Sequence, residues 1–477
     1  MESVVNFLNA VDDVLYYPIL ILILLGAGIY FSIRTKFAQI RLVIESIRVI
    51  KESSGDKNKV SPFQALMVST ASRVGTGNII GVSTAICLGG PGAVFWMWVL
   101  AILGGASAFI ESTLAQIYKR HNQETGGSYG GPAYYIEQVL KNRWVAVLFS
   151  IFLIATYGFG FNLLTSYNLQ STFVAYSFYD AKITPIIIGT TIAILTAICL
   201  FSDKKRGSGQ TIINVTSYLV PIMGVLYVCV TIVLMLINIH TLPEIFKLIF
   251  SDAFNFKAIG SGLAGSCLVY GIKRGLYSNE AGVGSAPNAA AAANTSHPVK
   301  QGLVQMLSVY IDTLLICTAT AFMCLMSQVP ITHEVAGAPY VQTAMSTNLG
   351  AFGPIFLTVA MVLFAFTTLL GNLFYMDNVL TFINNKKMPS KTFITFFRIG
   401  CVLVIFFGAI TPMSMAWAFA DITMGGMALI NIPSIVILGG VAYKALADYE
   451  KQRKEGKNPV FLSKNIGMDP DTLDYWK

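Results

Sequence analysis

Charged residues are scarce in this sequence, since Asp, Glu, Lys and Arg make up only 12% of its 477 residues. Soluble domains carry about 25%. In contrast, 55% of the residues are hydrophobic, and apolar runs recur from one end of the chain to the other. A run of about 20 apolar residues is long enough to cross a bilayer as a helix. The composition excludes a soluble protein and predicts an all-α integral membrane protein.

Residue types that build catalytic and metal sites are also rare. There are four histidines, all predicted in loops or at the ends of spans, and none belongs to an HExxH pattern. The seven cysteines fall within apolar spans without metal-ligand or redox spacing, so we predict no structural disulfide. A membrane enzyme would need a nucleophile with its base, or a metal. We therefore expect neither an enzyme nor a bound cofactor.

Hydropathy, with Gly and Pro as boundaries, predicts eleven transmembrane helices. No Lys or Arg precedes the first, so we expect it to be retained and not cleaved as a signal peptide. The spans are predicted at residues 14–33, 61–88, 92–118, 144–177, 183–201, 211–238, 257–277, 301–327, 352–383, 392–411 and 413–442.

Basic residues cluster on alternate connections, which include residues 34–59 and the tail 444–464. By the positive-inside rule this predicts an outer N-terminus and a cytoplasmic C-terminus in the cell membrane. The net charge of +8 is then a feature of topology. We expect this protein to contact membrane lipid and not to bind nucleic acid.

The predicted spans divide into one peripheral helix and two sets of five. Residues 1–60 hold the peripheral helix and a cytoplasmic amphipathic segment, 61–238 and 257–442 hold the two sets, and 443–477 form a cytoplasmic tail. Because five is odd, the two sets enter the membrane from opposite sides, which is an inverted repeat. Residues 37–52 and 132–141 are predicted as interfacial helices. Residues 337–349 are predicted as a short helix over an extracellular mouth.

In transporters with inverted repeats, the substrate binds near the midplane, where discontinuous helices meet. The first helix of each set should therefore be broken. The sequence ASRVGTGNIIG at residues 71–81 fits the first break, and GSGLAGSCLVYGIKRG at 260–275, with Gly260, Gly262, Gly265 and Gly271, fits the second. A single glycine in a membrane helix more often serves close packing.

An unwound turn exposes N–H groups that suit a carboxylate and C=O groups that suit a small cation. We expect the following residues to bind substrate: Gly75, Thr76, Gly77 and Asn78 at the first break, and Gly265 and Ser266 at the second. Thr367 and Thr368 supply hydroxyl oxygens for the cation. The alternative for each threonine is a hydrogen bond to its own helix backbone.

The stretch VGTGN resembles the VG-x-GN of the sodium-coupled leucine-transporter fold. With RVGTGNIIGV, GGPGAVFWMW, GGSYGGPAYYI, RGLYSNEAGVGSAP and IDTLLICTAT, the chain from about residue 15 to residue 450 is similar to the alanine or glycine:cation symporter family of prokaryotes. The resemblance implies sodium- or proton-coupled uptake of a small amino acid. It also implies that the carbonyls of Ala71 and Val74, with Thr367 and Thr368, hold sodium, and that the amides of residues 75–77 hold the substrate carboxylate.

Two positions depart from the family pattern. Asn372 stands where the family commonly has a tryptophan, and Leu164 stands where it commonly has a glutamine. Asn372 lies one helical turn beyond Thr368, on the same face, so we expect it to line the substrate pocket. A pocket without the large aromatic ring admits something longer than alanine, such as glutamine.

Five charged residues are predicted within spans or at their ends: Arg73, Glu111, Asp312, Asp377 and Asp421. A charge at the membrane centre costs about 2.5–3.5 kcal/mol, so each needs a partner or water. We expect Arg73 to pair with Glu111. Alternatives are that Arg73 occupies the place of a second sodium ion, and that Asp312 and Asp377 form a proton relay.

Proton-coupled relatives of the leucine-transporter fold can place a lysine where sodium would sit, on the fifth core helix. The resemblance therefore favours sodium as the coupling ion, because span 211–238 contains no Lys or Arg. A non-pumping amino-acid sensor or channel is the alternative class of function. The sequence does not predict the oligomeric state.

Overall fold

The computed structural model describes residues 2–53, 55, 59–123, 126–203, 209–255, 266–411 and 413–476. Their helices are α1 Glu2–Val14, α2 Ile21–Arg34, α3 Ala38–Arg41, α4 Val43–Ile50, α5 Pro62–Arg73, α6 Ile80–Gly89, α7 Ala93–Ile117, α8 Pro132–Leu140, α9 Arg143–Leu153, α10 Phe161–Ser171, α11 Thr184–Phe201, α12 Gln210–Ile237, α13 Leu242–Ala253, α14 Cys267–Asn279, α15 Pro287–Ala292, α16 Pro298–Val309, α17 Thr318–Leu325, α18 Ala338–Leu349, α19 Phe352–Ile383, α20 Lys391–Gly408 and α21 Met413–Lys454. Two short strands, β1 Arg120–His121 and β2 Ser128–Tyr129, pair antiparallel.

Helical turns of other types continue some of these helices. Wider, π-helical turns join α1 to α2 at Leu15–Leu20, α9 to α10 at Ile154–Gly160, and α16 to α17 at Tyr310–Cys317. Tighter 3₁₀ turns lie at Thr76–Asn78, Thr172–Ala175, Ile239–Thr241, His333–Val335, Ser463–Ile466 and Pro470–Thr472.

Within the described residues, nine helical segments are long and apolar enough to cross a membrane. They are Asn6–Arg34, Ala93–Ile117, Arg143–Ala175, Thr184–Phe201, Gln210–Ile237, Pro298–Leu325, Phe352–Ile383, Lys391–Gly408 and Ser414–Lys454. Each coincides with one of the eleven predicted spans, which confirms a multi-pass membrane protein. The other two predicted spans are 61–88, which is interrupted, and 257–277, which begins outside the described residues. The total of eleven and the inverted repeat stay predictions.

The first interruption lies where the sequence predicts it. Ser61 and Gln64 begin α5 with reciprocal side-chain-to-backbone hydrogen bonds, which satisfy donors at the helix start. The helix ends at Arg73, because Val74 and Gly75 adopt extended backbone conformations. After the 3₁₀ turn, α6 resumes at Ile80. The prediction of a break within residues 71–81 is confirmed.

A second interruption lies at residues 280–286, between α14 and α15, beyond the predicted stretch 260–275. Gly282 and Gly284 have φ angles of +82° and +92°, which favour glycine. The predicted stretch 260–275 is different. Gly260, Gly262 and Gly265 lie outside the described residues, and Gly271 is inside α14, where a Cβ would lie 2.5 Å from the Ala93 carbonyl oxygen. Gly271 therefore serves close packing of α14 on α7.

The two interrupted helices lie side by side. α14 packs against α6, and α15 packs against α5. The two interrupted helices therefore run antiparallel, and their interruptions meet. Around them, α7 packs against α14 and α16, while α5 packs against α12 and α19. This arrangement places both interruptions in the interior of the helix bundle.

The predicted interfacial segments are helical. Residues 37–52 form α3 and α4, residues 132–141 form α8, and residues 337–349 form α18. All seven cysteines are free thiols in the structure. The last helix extends to Lys454, twelve residues beyond the predicted span, and the segment after it folds back onto the bundle.

Candidate functional site

The first interruption releases two backbone carbonyls from the helical hydrogen-bond ladder. In a continuous helix, the Ala71 carbonyl would accept from the Gly75 N–H. Here that N–H donates to Oδ1 of Asn78 at 2.7 Å. Likewise, the Asn78 N–H donates to the Gly75 carbonyl at 3.2 Å and not to that of Val74. The oxygens of Ala71 and Val74 thus lose their helical donors, and carbonyl oxygens of this kind suit a small, hard cation.

Thr368 of α19 brings a third oxygen to the same place. A Cβ at Gly75 would collide with Oγ1 of Thr368, so the hydroxyl lies directly against the interruption. Gly371, one turn further, allows close contact, since a Cβ there would lie 2.5 Å from the Ser72 nitrogen. The Thr368 side chain is buried, and Oγ1 has no hydrogen-bond partner among the described residues.

Thr367 differs from its neighbour. Its hydroxyl donates to the Leu363 carbonyl of its own helix at 2.9 Å and lies 3.3 Å from the sulfur of Met223 in α12. This matches the alternative of a threonine bonded to its own helix. The predicted pair is therefore divided, and only Thr368 faces Gly75.

Asn78 holds the unwound turn in place. Besides accepting from the Gly75 N–H, it donates from Nδ2 to Oδ1 of Asp312 at 2.7 Å. The Gly75 amide and the Asn78 side chain are thus bonded to the protein, which differs from the expected direct contact of both with substrate. The Asn78 side chain links the turn to the π-helical segment that contains Asp312.

Thr76 and Gly77 complete the turn. Oγ1 of Thr76 accepts from Nδ2 of Asn168 in α10 at 3.1 Å. Gly77 lies under the ring of Tyr277, where a Cβ would be 2.7 Å from Cδ1. Asn168 also lines a cavity of about 150 Å³ between α6, α10 and the start of α18. The assignment of the Thr76 and Gly77 amides to a substrate carboxylate stays a prediction.

Ser266 lies far from this turn, which corrects the prediction that it binds substrate with Gly265. Its hydroxyl accepts from the Val269 N–H and begins α14. This helix runs 13 residues from there to the second interruption, roughly 20 Å at 1.5 Å per residue. Gly265 is outside the described residues.

Asn372 lies in a buried polar cluster on the α5 side of the first interruption. Its Oδ1 accepts from Oγ of Ser72 at 2.8 Å, and its Nδ2 donates to Oδ1 of Asn162 at 3.1 Å. Leu164, on the same helix as Asn162, is fully buried. The cluster joins α5, α10 and α19 next to the first interruption.

Glu280 is the main residue that the sequence interpretation missed. It is fully buried at the start of the second interruption. Its Oε2 accepts from Oγ of Ser285 at 2.6 Å, and its Oε1 lies 3.4 Å from Oγ of Ser72. The predicted span ended at residue 277, which placed Glu280 in a connection. The two glycines that follow it in SNEAGVGS are the signal that would have moved this boundary.

The expected pair of Arg73 and Glu111 is wrong. Nη1 of Arg73 donates to the Gln305 carbonyl at 3.2 Å. Glu111 accepts from Nδ2 of Asn431 at 2.9 Å and from the Gly282 N–H at 3.4 Å. Glu111 therefore braces the second interruption, and its interaction with Arg73 is at longer range.

The other predicted charges have direct partners, with one exception. Asp377 pairs with Arg398 at 3.0 Å, and Asp421 pairs with Arg274 at 2.5 Å. Asp312 instead accepts from neutral donors, namely the hydroxyls of Ser278 and Thr313, each at 2.8 Å, and Asn78. Asp377 is therefore ion-paired, and a relay between Asp377 and Asp312 stays a prediction.

Comparisons with known proteins identify the family of this chain. The sequence model of the sodium:alanine symporter family matches residues 1–463. The probable sodium/glutamine symporter GlnT of Bacillus subtilis (strain 168) is 41% identical over 100% of this chain and 96% of its own. The amino-acid carrier protein AlsT of the same organism is 41% identical over 98% of this chain and 97% of its own. The sodium/alanine symporter AgcS of Methanococcus maripaludis is 35% identical over 95% of this chain and 99% of its own. Because the family match covers almost the whole chain, this protein belongs to the sodium:alanine symporter family.

Proposed function

We propose that this protein imports a small neutral amino acid of the alanine or glycine class, coupled to sodium by alternating access. Its family and its relatives identify it as a sodium-coupled amino-acid symporter without giving its substrate. The substrate, the coupling ion and the residues that bind them are our proposal.

The observation that carries the proposal is the set of oxygens at the first interruption. The carbonyls of Ala71 and Val74 have lost their helical donors, and Oγ1 of Thr368 is buried beside Gly75 without a hydrogen-bond partner among the described residues. Neutral, buried oxygens from two helices form a ligand set suited to a monovalent cation. We assign the coupling sodium ion to these three residues.

The amino acid binds on the other side of the turn. The start of α6 follows Thr76 and Gly77, and the N-terminus of a helix favours a carboxylate through its free N–H groups and its dipole. The cavity beside Asn168 supports a path to this turn. The basic connections support a cytoplasmic C-terminus. With this topology the start of α18, which lines the cavity, lies on the outer side of the membrane, so this path would open to the outside.

Glutamine is the second candidate substrate. Asn372 and Leu164 replace larger or more polar residues of the family pattern, and Asn372 lies in the polar cluster next to the turn. The relative named as a probable sodium/glutamine symporter also covers the whole chain. A longer side chain with an amide group would suit a polar pocket of this kind.

One sodium ion supplies enough energy for accumulation. Its entry contributes about 2.3 kcal/mol per 100 mV of membrane potential, and a tenfold concentration gradient contributes about 1.4 kcal/mol. Together these correspond to several-hundred-fold accumulation of a neutral substrate. A sensor or channel would show no accumulation against a gradient.

Proteoliposomes test this proposal directly. We expect an inward sodium gradient to drive accumulation of alanine, glycine or glutamine above the external concentration, and the preferred substrate identifies the pocket. Uptake that follows an imposed proton gradient without sodium would contradict the sodium assignment. Equilibration without accumulation would instead indicate a channel.

A further inference from the structure

Four charged side chains are buried where the two interruptions meet. Arg73, Glu111, Glu280 and Asp312 are each at most 2% exposed. The Arg73 guanidinium interacts electrostatically with all three carboxyl groups. Three carboxyl groups thus surround one guanidinium, whose Nη1 donates to the Gln305 carbonyl. A buried carboxylate without an opposite charge is costly in a membrane protein and marks a site of function.

The three carboxyl groups have different surroundings. Glu111 accepts from the Gly282 N–H and from Nδ2 of Asn431, and neither of these nitrogens can act as an acceptor. Asp312 accepts from an amide as well as from hydroxyls. The groups that face Glu280 through hydroxyls are Ser285, which donates to Oε2, Ser72, which lies 3.4 Å from Oε1 and donates to Asn372 at the shorter distance of 2.8 Å, and Tyr157. A hydroxyl rotates and offers its lone pairs, so the same groups that donate to a carboxylate also ligate a cation.

The backbone at Glu280 supports a functional role. Its φ angle is +54°, in the left-handed region that residues other than glycine rarely adopt. Such conformations cluster at ligand sites and switch regions. The hydroxyl of Tyr157, which interacts with Glu280, is fully buried and has no hydrogen-bond partner by geometry among the described residues.

The position of Glu280 is separate from the oxygens around Thr368. Ser72 precedes the first interruption, while Glu280 and Ser285 lie within the second, so the cluster connects both broken helices. Asn372 joins it through Ser72 and lies one turn along α19 from Thr368. A cation held by Ser72 and Glu280 would bridge α5 and the turn after α14.

We propose that Glu280, with the hydroxyls of Ser72 and Ser285, binds a second monovalent cation that is transported with the substrate. This proposal rests on the symport function proposed above. The cation is a sodium ion or a proton, because a carboxylate with two hydroxyls accepts either. The titratable and charged groups that act on Glu280 are Arg73, Glu111, Asp312, Tyr157, Tyr277 and Tyr375.

The test compares Glu280→Gln with Glu111→Gln in proteoliposomes. Both variants remove one buried carboxylate near Arg73, but only the first removes the proposed ligand. The charge moved per amino acid, measured from the reversal potential, should fall from about two to about one in Glu280→Gln. The ratio in Glu111→Gln should stay at the wild-type value, whatever its rate.

The same variants distinguish the two cations. If the second cation is sodium, the Hill coefficient for sodium falls from about two to about one in Glu280→Gln. If it is a proton, wild-type uptake at fixed sodium depends on external pH, and Glu280→Gln removes that dependence. An unchanged charge ratio, Hill coefficient and pH profile in Glu280→Gln would overturn the proposal.

If Glu280→Gln does not transport, measurements of cation binding test the second site instead. Purified wild-type protein should bind two ²²Na⁺ ions, or bind one and take up a proton with it, and the variant should lose one of these. Ser285→Ala should weaken the second binding event about tenfold and keep the carboxylate. Equal stoichiometry in wild type and Glu280→Gln would refute the site. Failure of wild-type protein to accumulate any amino acid would instead refute the symport function.

Discussion

Thr367 and Thr368 are adjacent in sequence but face different parts of the protein. Successive residues of an α-helix point about 100° apart. On α19 this turns Thr368 towards Gly75 and Thr367 towards Met223 of α12. The sequence predicts that both threonines bind sodium at the first interruption. Only Thr368 lies beside Gly75, because this contact depends on how α19 is rotated against α5.

Valine in place of either threonine tests this difference, because it keeps the shape and removes only the hydroxyl. Thr368→Val removes a proposed sodium ligand, so we expect the half-saturating sodium concentration to rise about tenfold, or about 1.4 kcal/mol. Thr367→Val should change it less, since that hydroxyl already bonds to Leu363. Uptake measured over a range of sodium concentrations gives both values. An equal shift in the two variants would contradict the assignment.

The two interrupted helices show what glycine does and does not predict at the level of an element. Hydropathy located nine spans closely, because a membrane helix needs a certain length of apolar residues. Glycine located the first interruption, while the second described interruption follows the predicted stretch 260–275, of which residues 260–265 lie outside the described residues. Gly271 and Gly275 face α7 and allow close packing, while Gly282 and Gly284 have positive φ angles. The sequence shows glycine in both cases, and only the backbone conformation distinguishes them.

Gly282→Ala tests the second interruption without creating a collision. A Cβ there would meet its nearest atoms at 3.5 Å, an ordinary contact, so the cost comes from the φ of +82°. That cost is about 1 kcal/mol or more. We expect a lower thermal midpoint of the purified protein and slower uptake.

Gly440→Ala is the matched control for Gly282→Ala. This glycine lies inside α21, and a Cβ there would meet no atom within 4 Å. Alanine favours a helix over glycine by about 1 kcal/mol. The thermal midpoint should stay the same or rise. A fall of the same size in both variants would mean that the backbone at Gly282 is not under special constraint.

At the scale of the whole molecule, the C-terminal segment, residues 456–476, packs against the helix bundle. Nε1 of Trp476 donates to the Gln116 carbonyl at 2.7 Å, and the ring packs at 5.3 Å from that of Phe461. Nζ of Lys119 lies 3.9 Å from the centre of the Tyr475 ring. The sequence predicts a polar tail here, because the segment is short and charged. These contacts join residues far apart in the chain, and no local pattern reveals them.

Trp476→Ala should lower the thermal midpoint of the purified protein. The side chain is only 9% exposed, and loss of a large buried aromatic ring costs about 3–5 kcal/mol. Trp144→Ala is the control, since that side chain is 80% exposed. A thermal unfolding curve in detergent measures both. If Trp476→Ala and Trp144→Ala have the same thermal midpoint, the C-terminal segment does not stabilise the helix bundle.

His297 makes the same part of the molecule sensitive to pH. It lies just before α16, where Nδ1 accepts from the Val299 N–H and Nε2 lies 3.3 Å from Asp448 of α21. Burial lowers the pKa of His297 to about 4, from an ordinary value near 6.5. The folded protein therefore keeps this histidine neutral at a pH where the unfolded chain protonates it.

The sign of the effect follows from this difference. Above pH 6.5 both states are neutral, and the full stability is present. As the pH falls from about 6.5 to about 4, only the unfolded chain takes up the proton, so the free energy of unfolding decreases. We expect a lower thermal midpoint at pH 5 than at pH 7.5. His297→Gln should reduce this difference, while the exposed His240→Gln should not. An undiminished difference in His297→Gln would assign the acid sensitivity to other groups, because glutamine cannot take up the proton that unfolding gives to His297.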